Sequence, residues 1–420
     1  MKSELLKTGL FIAGAAIITA AAAWFEPESA RSEIFSDTGQ TFFPEFRDIS
    51  QVSTLEVVDF EESEAVARPL KVEMRKGRYL ITSHSDYPAE AKDRIAKTAA
   101  ALLDLKKDAA VSDRIEDHAT YGVIDPLDAK NPSLTGRGKR VTLRNSGGVT
   151  LAEIVLGLPV KDKAGYRYVR LPGQKRTYAV KTDADASAHF ADWVEANLLR
   201  VSAAEVNRLV LNAYQIDEQT GRQVNPQRSA MVRGESTWNA QAGSIAATMA
   251  SLRVVGARPK PKQLAEQLRT KRLELTLETM MSLRQRGFFI TPFGTLLSNE
   301  GELIAETAKG IVYTLRFGEV VTDATSPGGK AKDNRYLFVT VATRNPDSLQ
   351  AAEALDAKFS DWYYIISGID FARLHPARAA QIKLEREQPR PLQLPPGMVP
   401  QGMPGPPQQQ IPPQPPAKQP

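Results

Sequence analysis

The sequence predicts an α+β fold. It consists of an N-terminal transmembrane helix, two related units of mostly antiparallel sheet with helices packed on one face, and a disordered Pro/Gln-rich C-terminal tail. Three observations carry this expectation. Residues 140–144, 151–156, 166–171 and 177–181 read as four short strands in succession. Val141 and Leu143 alternate with Arg140, Thr142 and Arg144, the period of two that marks a half-buried strand. A degenerate second copy of this meander lies at 295–341, and helical patterns fall between and around the two copies. Asn145-Ser146-Gly147-Gly148 and Pro172-Gly173 stand where the first meander needs tight turns.

At 420 residues the chain exceeds the usual size of one core, which favours two domains. Its hydrophobic fraction of 42% and charged fraction of 25% are ordinary for globular protein. A formal charge of +5 is small over this length, so composition points to no nucleic-acid partner. There is no cysteine, which rules out disulfides, thiolate zinc sites, a cysteine nucleophile and a lipid anchor on cysteine. The absence fits an oxidising compartment.

From the N-terminus, residues 8–25 carry no charge. About 18 helical residues at ~1.5 Å each span about 27 Å, enough for a thin bilayer core. Lys2 and Lys7 precede the run, and Glu26 and Glu28 follow it. That asymmetry places the N-terminus in the cytoplasm and the body outside. Trp24 and Phe25 suit an outer interface and favour a retained anchor; the alanines at 20–23 suit the rival, a cleaved signal peptide. Either way the body is exported. The expected location is the cytoplasmic (inner) membrane, single-pass, with the body in the periplasm. Residues 26–53 form a linker with scattered aromatics, Phe35, Phe42, Phe43 and Phe46.

The first unit is expected over 54–222. Strands are read at 54–60, 70–75 and 79–83. A helix is read over 88–105, where Pro88 suits a first turn and Ile95, Ala99 and Leu102 share a face. After the meander, 185–199 reads as a second helix with Phe190, Trp193, Val194 and Leu198 on one side. Val206 to Leu211 reads as a closing strand. The second unit is expected over 223–387, with a helical insertion at 258–286 whose helices are read at 262–268 and 273–285. Strands are read at 288–291, 296–298, 302–306 and 311–318, and a mobile loop at 325–333 around Pro327-Gly328-Gly329. Residues 388–420 are dominated by proline and glutamine and have no apolar face to bury, so they read as a disordered, polyproline-like tail.

Four segments of the second unit echo the first in the same order. The run from Ile95 to Leu102 resembles that from Ile245 to Leu252, and Gly157 at a strand end resembles Gly318. Arg167-Tyr168 resembles Arg335-Tyr336, and the Phe190–Trp193 segment resembles the Phe359–Trp362 segment. A collinear duplication with insertions accounts for all four. It makes Trp193 and Trp362 equivalent core residues on equivalent helices, with Asp192 and Asp361 turned to solvent.

No residue is assigned a catalytic, cofactor-binding or metal-binding role. The four histidines, His84, His118, His189 and His375, have no metal-ligand spacing, including His84 with Asp86 and Asp117 with His118. Glu300 with Glu302, and Glu61-Glu62, are explained by a turn and by solvation rather than by paired-acid catalysis. Gly328-Gly329-Lys330 lacks the following hydroxyl of a phosphate loop. Arg253, Arg258, Lys260, Lys262, Arg269, Lys271 and Arg272 form one basic stretch without interleaved aromatics and read as a solvated helix face.

Several of these segments carry a family resemblance. Residues 69–74, Gly77-Arg78-Tyr79, Tyr87-Pro88-Ala89, the stretch from Tyr121 to Pro126, and Gly165 to Arg170 followed by Val180 resemble the DUF4340 family. Gly287-Phe288-Phe289, the stretch from Leu297 to Glu302 and that from Tyr313 to Gly318 are similar to its long planctomycete-type members. The resemblance covers roughly residues 55–383. It implies no catalytic residues, because the family has no established activity. It implies a membrane-anchored exported protein, in some members linked with auxiliary, gliding-type components of ABC transport systems. Between Arg222 and Trp238 this chain is shorter than such members, which implies reduced first strands in the second unit.

The expected function is therefore a non-catalytic, membrane-anchored extracytoplasmic scaffold or accessory subunit, of an ABC-type (gliding-like) transport complex. Its partners would be the membrane through the N-terminal helix and proteins of the complex, with no cofactor, nucleic acid or small-molecule substrate. The alternative is an envelope-facing module that binds polysaccharide or peptidoglycan.

Overall fold

The computed structural model describes residues 37–184, 186–217, 222–234, 238–272, 276–291, 294–321 and 333–387. The expected anchor at 8–25, most of the 325–333 loop and the tail at 388–420 lie outside these residues. Among the described residues no helix is long and apolar enough to cross a membrane. The fold is α+β, with antiparallel sheets and packed helices.

Among the described residues the first sheet has nine strands. In chain order they are β1 (Thr54–Glu61), β2 (Val66–Arg75), β3 (Arg78–Ile81), β4 (Tyr87–Pro88), β5 (Ala109–Ser112), β6 (Lys139–Arg144), β7 (Thr150–Pro159), β8 (Tyr166–Arg170) and β9 (Thr177–Lys181). In space the order is β4-β3-β2-β1-β6-β7-β8-β9-β5. Leu55 and Val57 of β1 pair with Leu143 and Val141 of β6, and all four side chains are buried. The alternation visible in sequence is thus the alternation of a face in the main core with an opposite face on which Thr142, also buried, donates to Glu153 Oε1 (3.0 Å). Helix α1 (Lys92–Leu103) lays Ile95, Ala99 and Leu102 on that core.

The second sheet contains β10 (Val206–Ile216), β11 (Gln223–Val232), β12 (Gly256–Pro259), β15 (Glu302–Thr307), β16 (Ile311–Val320), β17 (Arg335–Thr343) and β18 (Trp362–Ile366). Their order is β11-β10-β15-β16-β17-β18-β12. Seven strands of the first sheet, β2-β1-β6-β7-β8-β9-β5, run in the same sequence of positions. The correspondence reaches single residues. Gly157 of β7 and Gly318 of β16 each lie beneath the backbone carbonyl of a crossing loop, Tyr121 in one and Arg286 in the other, so a Cβ at either glycine would collide with it. Each of those carbonyls precedes a glycine held at positive φ, Gly122 (65°) and Gly287 (79°).

Helix α3 (Ala240–Ala250), capped by the Asn239 side chain on Ala242 N–H (2.8 Å), packs Ile245, Ala246 and Met249 into the same core as the first sheet. Short helix α2 (His118–Tyr121) precedes β6. Helices α4 (Lys262–Thr270) and α5 (Leu277–Arg284), with hairpin β13 (Phe288–Ile290) and β14 (Leu296–Ser298), build a separate cluster of Leu264, Leu283, Phe288, Phe338 and Tyr363. Phe338 belongs to this cluster while its neighbours Leu337 and Val339 belong to the main core. The insertion therefore covers the opposite face of the second sheet, and the expectation of helices on one face alone is corrected. Helices α6 (Leu349–Phe359), α7 (Gly368–Leu374) and α8 (Pro376–Glu387) are the last elements of the described residues.

Five other expectations change. The helix read over 185–199 is absent: only Phe190–Asp192 form a 3-10 turn. Ser187 is the cause, because its Oγ donates to Asp192 Oδ2 (2.6 Å) and accepts from His189 N–H (3.0 Å), and its carbonyl accepts from Trp193 Nε1 (2.9 Å). Such local bonds compete with a helical ladder. Val206–Leu211 does not close the first sheet but begins β10 of the second. Trp193 and Trp362 are not equivalent: Trp193 is buried beyond the 3-10 turn, whereas α6 ends at Phe359 and Trp362 opens β18 half-buried. The helix over 88–105 is shorter, starting at Lys92, and that over 273–285 starts at Leu277, where Thr276 caps Thr279 N–H.

Candidate functional site

Where the two sheets meet, they leave a cleft of about 380 Å³. Tyr87 of β4 and Glu90 come from the first sheet, Glu195 from the connecting segment, and Leu355, Lys358 and Trp362 from α6 and β18. The elements are brought together by the shared core and by backbone bonds: Glu90 N–H donates to Trp193 O (2.8 Å) and Leu198 N–H to Leu252 O (3.0 Å). Tyr87 stands edge-on to Trp362, forming an aromatic floor.

Three charged groups of the cleft, Glu195, Arg200 and Lys358, are tied together, while Glu90 is exposed. Lys358 Nζ donates to Glu195 Oε2 (2.5 Å) and to Leu198 O (3.0 Å), and Arg200 Nε donates to Glu195 Oε1 (2.5 Å). Burial works to raise the Glu195 carboxyl, but the bonds from Arg200 and Lys358 outweigh it and hold the group below its ordinary range. Burial pushes the phenols of Tyr87 and Tyr364 well up, so both stay protonated. A carboxylate held ionised and two phenols held neutral provide hydrogen bonds and stacking surface, not a group poised for proton transfer near neutral pH.

A second hollow, of about 610 Å³, lies beside the loop that carries Asp125. Here Arg140 donates to Asp125 Oδ2 (2.8 Å) and Glu153 Oε1 (2.8 Å), while buried Arg170 donates to the carbonyls of Val123 and Gln174 (both 2.8 Å). The segment from Tyr121 to Pro126 is therefore a latch: its left-handed glycine turns the chain, and its carbonyl and carboxylate hold two arginines of the sheet.

The residues weighed in the sequence fall in separate places. His118 Nε2 donates to Lys175 O (2.7 Å). His84 packs on Phe190 and His375 on Phe317; burial, helped by Arg258 beside His84, lowers each to about 4. His189 is exposed. Among the described residues no group of three or more acids and histidines is placed to hold a metal. Glu302 pairs with Arg316 (3.3 Å). Glu300 is not solvated: it is buried between Arg378 (2.7 Å) and Arg335 (3.2 Å) and ties α8 to the sheet. The basic stretch is not uniformly a solvated face either. Lys260 is buried, donating to Phe359 O (2.8 Å) with its Nζ 3.9 Å from the Phe338 ring centre. Arg269 pairs with Asp361 and Lys271 with Glu353. Gly328-Gly329-Lys330 lies outside the described residues.

The family described as Domain of unknown function (DUF4340) matches residues 80–293, just over half of the chain. This chain belongs to the DUF4340 family. The DUF4340 match contains Tyr87, Glu90, Glu195 and the whole Asp125 latch but ends before Lys358 and Trp362, so the cleft joins matched and unmatched parts of the chain. No curated protein and no solved structure matches the chain.

Proposed function

We propose that this DUF4340 protein is a non-catalytic, membrane-anchored extracytoplasmic scaffold or accessory subunit of an ABC-type, gliding-like transport complex. The body would stand in the periplasm on a single N-terminal span, and it would consist of two units descended from one. The shared seven-strand order supports the common descent. The observation that carries the scaffold reading is the join: two sheets around one apolar core, with Glu195, Arg200 and Lys358 paired at their meeting line. That build gives a rigid body. The uncharged run at 8–25 supports the anchor.

Crosslinking in native membranes followed by purification tests the reading. Recovery of an ATPase and a permease supports it, and their absence from the crosslinked material overturns it. Carbonate extraction tests the anchor, and release of a body whose N-terminus lies near Ala23 would show cleavage instead. One observation favours the second reading, an envelope glycan or peptidoglycan module: the aromatic floor of Tyr87 and Trp362 beside carboxylates suits a sugar face. Retention on isolated cell-wall material, lost in Trp362→Ala and without transport partners, would select it.

A further inference from the structure

The structure assigns the outer edge of β11 as an acceptor for a β-strand of another protein, an extended acidic segment that takes the place β3 holds in the first sheet. This goes beyond the scaffold reading and does not depend on it.

The shared strand order makes the argument. β11 occupies the position that β2 occupies in the first sheet. There β2 carries a further strand, pairing Val72–Arg75 with Arg78–Ile81 of β3, and Ile81 is fully buried. Among the described residues the second sheet stops at β11. From Gln223 to Val232 every residue but Met231 is exposed, and Val232 is 71% exposed.

The edge has a defined hydrogen-bonding pattern. Arg233 N–H donates to Asn207 O (2.8 Å), and the two residues lie opposite each other in the register that pairs Arg208 with Val232. In an antiparallel pair, bonded and non-bonded positions alternate. Gln227, Ser229 and Met231 therefore face β10 with their backbone groups, while Arg228, Ala230 and Val232 turn theirs outward. These three residues offer N–H and C=O groups in the spacing a new antiparallel strand requires.

Charge selects the occupant. Between Arg222 and Gly234 there are three arginines and no acid. Arg233 is held by Ala204 O (2.6 Å), but Arg222 and Arg228 have no carboxylate partner among the described residues. A second copy of this chain would bring two such edges together and double the uncompensated positive charge. An acidic strand would neutralise it.

The test uses full-length protein in mild detergent and two fluorescent peptides of about nine residues, the length of a long strand. One alternates glutamate with valine and the other lysine with valine. The glutamate peptide should bind saturably by fluorescence anisotropy, and more weakly at high salt. Arg228→Glu should weaken it, and so should Ala230→Pro, which removes an outward N–H but no bond to β10; each loss should be about tenfold. Val232→Pro serves if Ala230→Pro does not fold, and unchanged circular dichroism melts confirm the fold of each variant. No saturable binding, equal binding of both peptides, or full binding by both folded proline variants would overturn the proposal. A concentration-dependent dimer abolished by Ala230→Pro would also overturn it, in favour of a second copy.

Discussion

The Tyr87 ring of the first sheet meets the Trp362 ring of the second at 4.8 Å between centroids and 62° between planes. Trp362 is therefore a residue of the join, while Trp193, 1% exposed and donating to Ser187 O, is a residue of the core. Trp193→Ala should cost about 3–5 kcal/mol through lost burial and a cavity. Trp362→Ala should cost less, about 1–3 kcal/mol, because half-buried area is lost. Asp361→Ala removes an exposed pair with Arg269 and should cost ~0–1 kcal/mol. Asp192→Ala removes a half-buried acceptor for Ser187 and should cost ~1 kcal/mol. Denaturant melts of the four variants measure the order.

Glu300 bridges two buried guanidinium groups, Arg335 and Arg378. Glu300→Gln should cost about 3–5 kcal/mol, because it removes the charged partner that two buried guanidinium groups share. Glu64→Gln, which breaks a surface pair with Arg68, should cost ~0–1 kcal/mol. The difference in urea midpoint between the two variants checks this.

Half-buried His84 and buried His375 set an acid limit. His84 and His375 titrate at about 4 in the folded chain against an ordinary 6.5. The unfolded chain binds more protons than the folded one between those values, so their contribution is present above 6.5 and is lost as pH falls toward about 4. Stability measured from pH 7 to 4.5 should decline, and His375→Gln should flatten the decline. Carboxylates held low, such as Glu195, add their own loss only nearer and below the ordinary 4.5.

Lys260 acts at the other end of the scale. Burial lowers its amine from 10.5 to about 7. The unfolded chain again binds more protons between these values, so this residue makes stability rise as pH is raised from 7 toward 10. In Lys260→Met that rise should disappear, and stability at pH 7 should change by no more than about 1 kcal/mol, since an apolar side chain replaces a buried charge. Chemical denaturation at pH 7, 8.5 and 10 reads both effects.

Strands that bury one face were legible in the sequence. β6, β15 and β16 lie close to their expected limits because Val141, Leu303 and Leu315 recur at a period of two, whereas β9 and β14 are short apolar runs bounded by turns and buried on both faces. β11 left no such mark, because a strand that buries almost nothing is under no demand to alternate. β5 and β12 are four residues each, too short for a period to show. At 190–193, Phe and Trp three apart satisfy a 3-10 turn as well as an α-helix, and the choice fell to Ser187 and Asp192. The cleft was not legible at all, since Tyr87, Glu195 and Trp362 are neighbours only through the packing of two sheets. For Glu300 and Lys260, burial depends on α8 and on the insertion, which no local pattern reveals.

The wide spacing of the last pairings has a consequence for how the chain is made. Gly256 of β12 pairs with Ile365, so the second sheet stays open at that edge until β18 has left the ribosome. At ~5–20 residues per second that interval lasts roughly 5–20 s. The first sheet is complete at Lys181 and passes this time with part of its apolar surface bare, because Leu315 and Ile366 have not yet arrived to cover it. Nascent chains should therefore engage holding chaperones from about residue 181 onward. A premature stop anywhere before β18 should yield material for proteolysis, not a working first half.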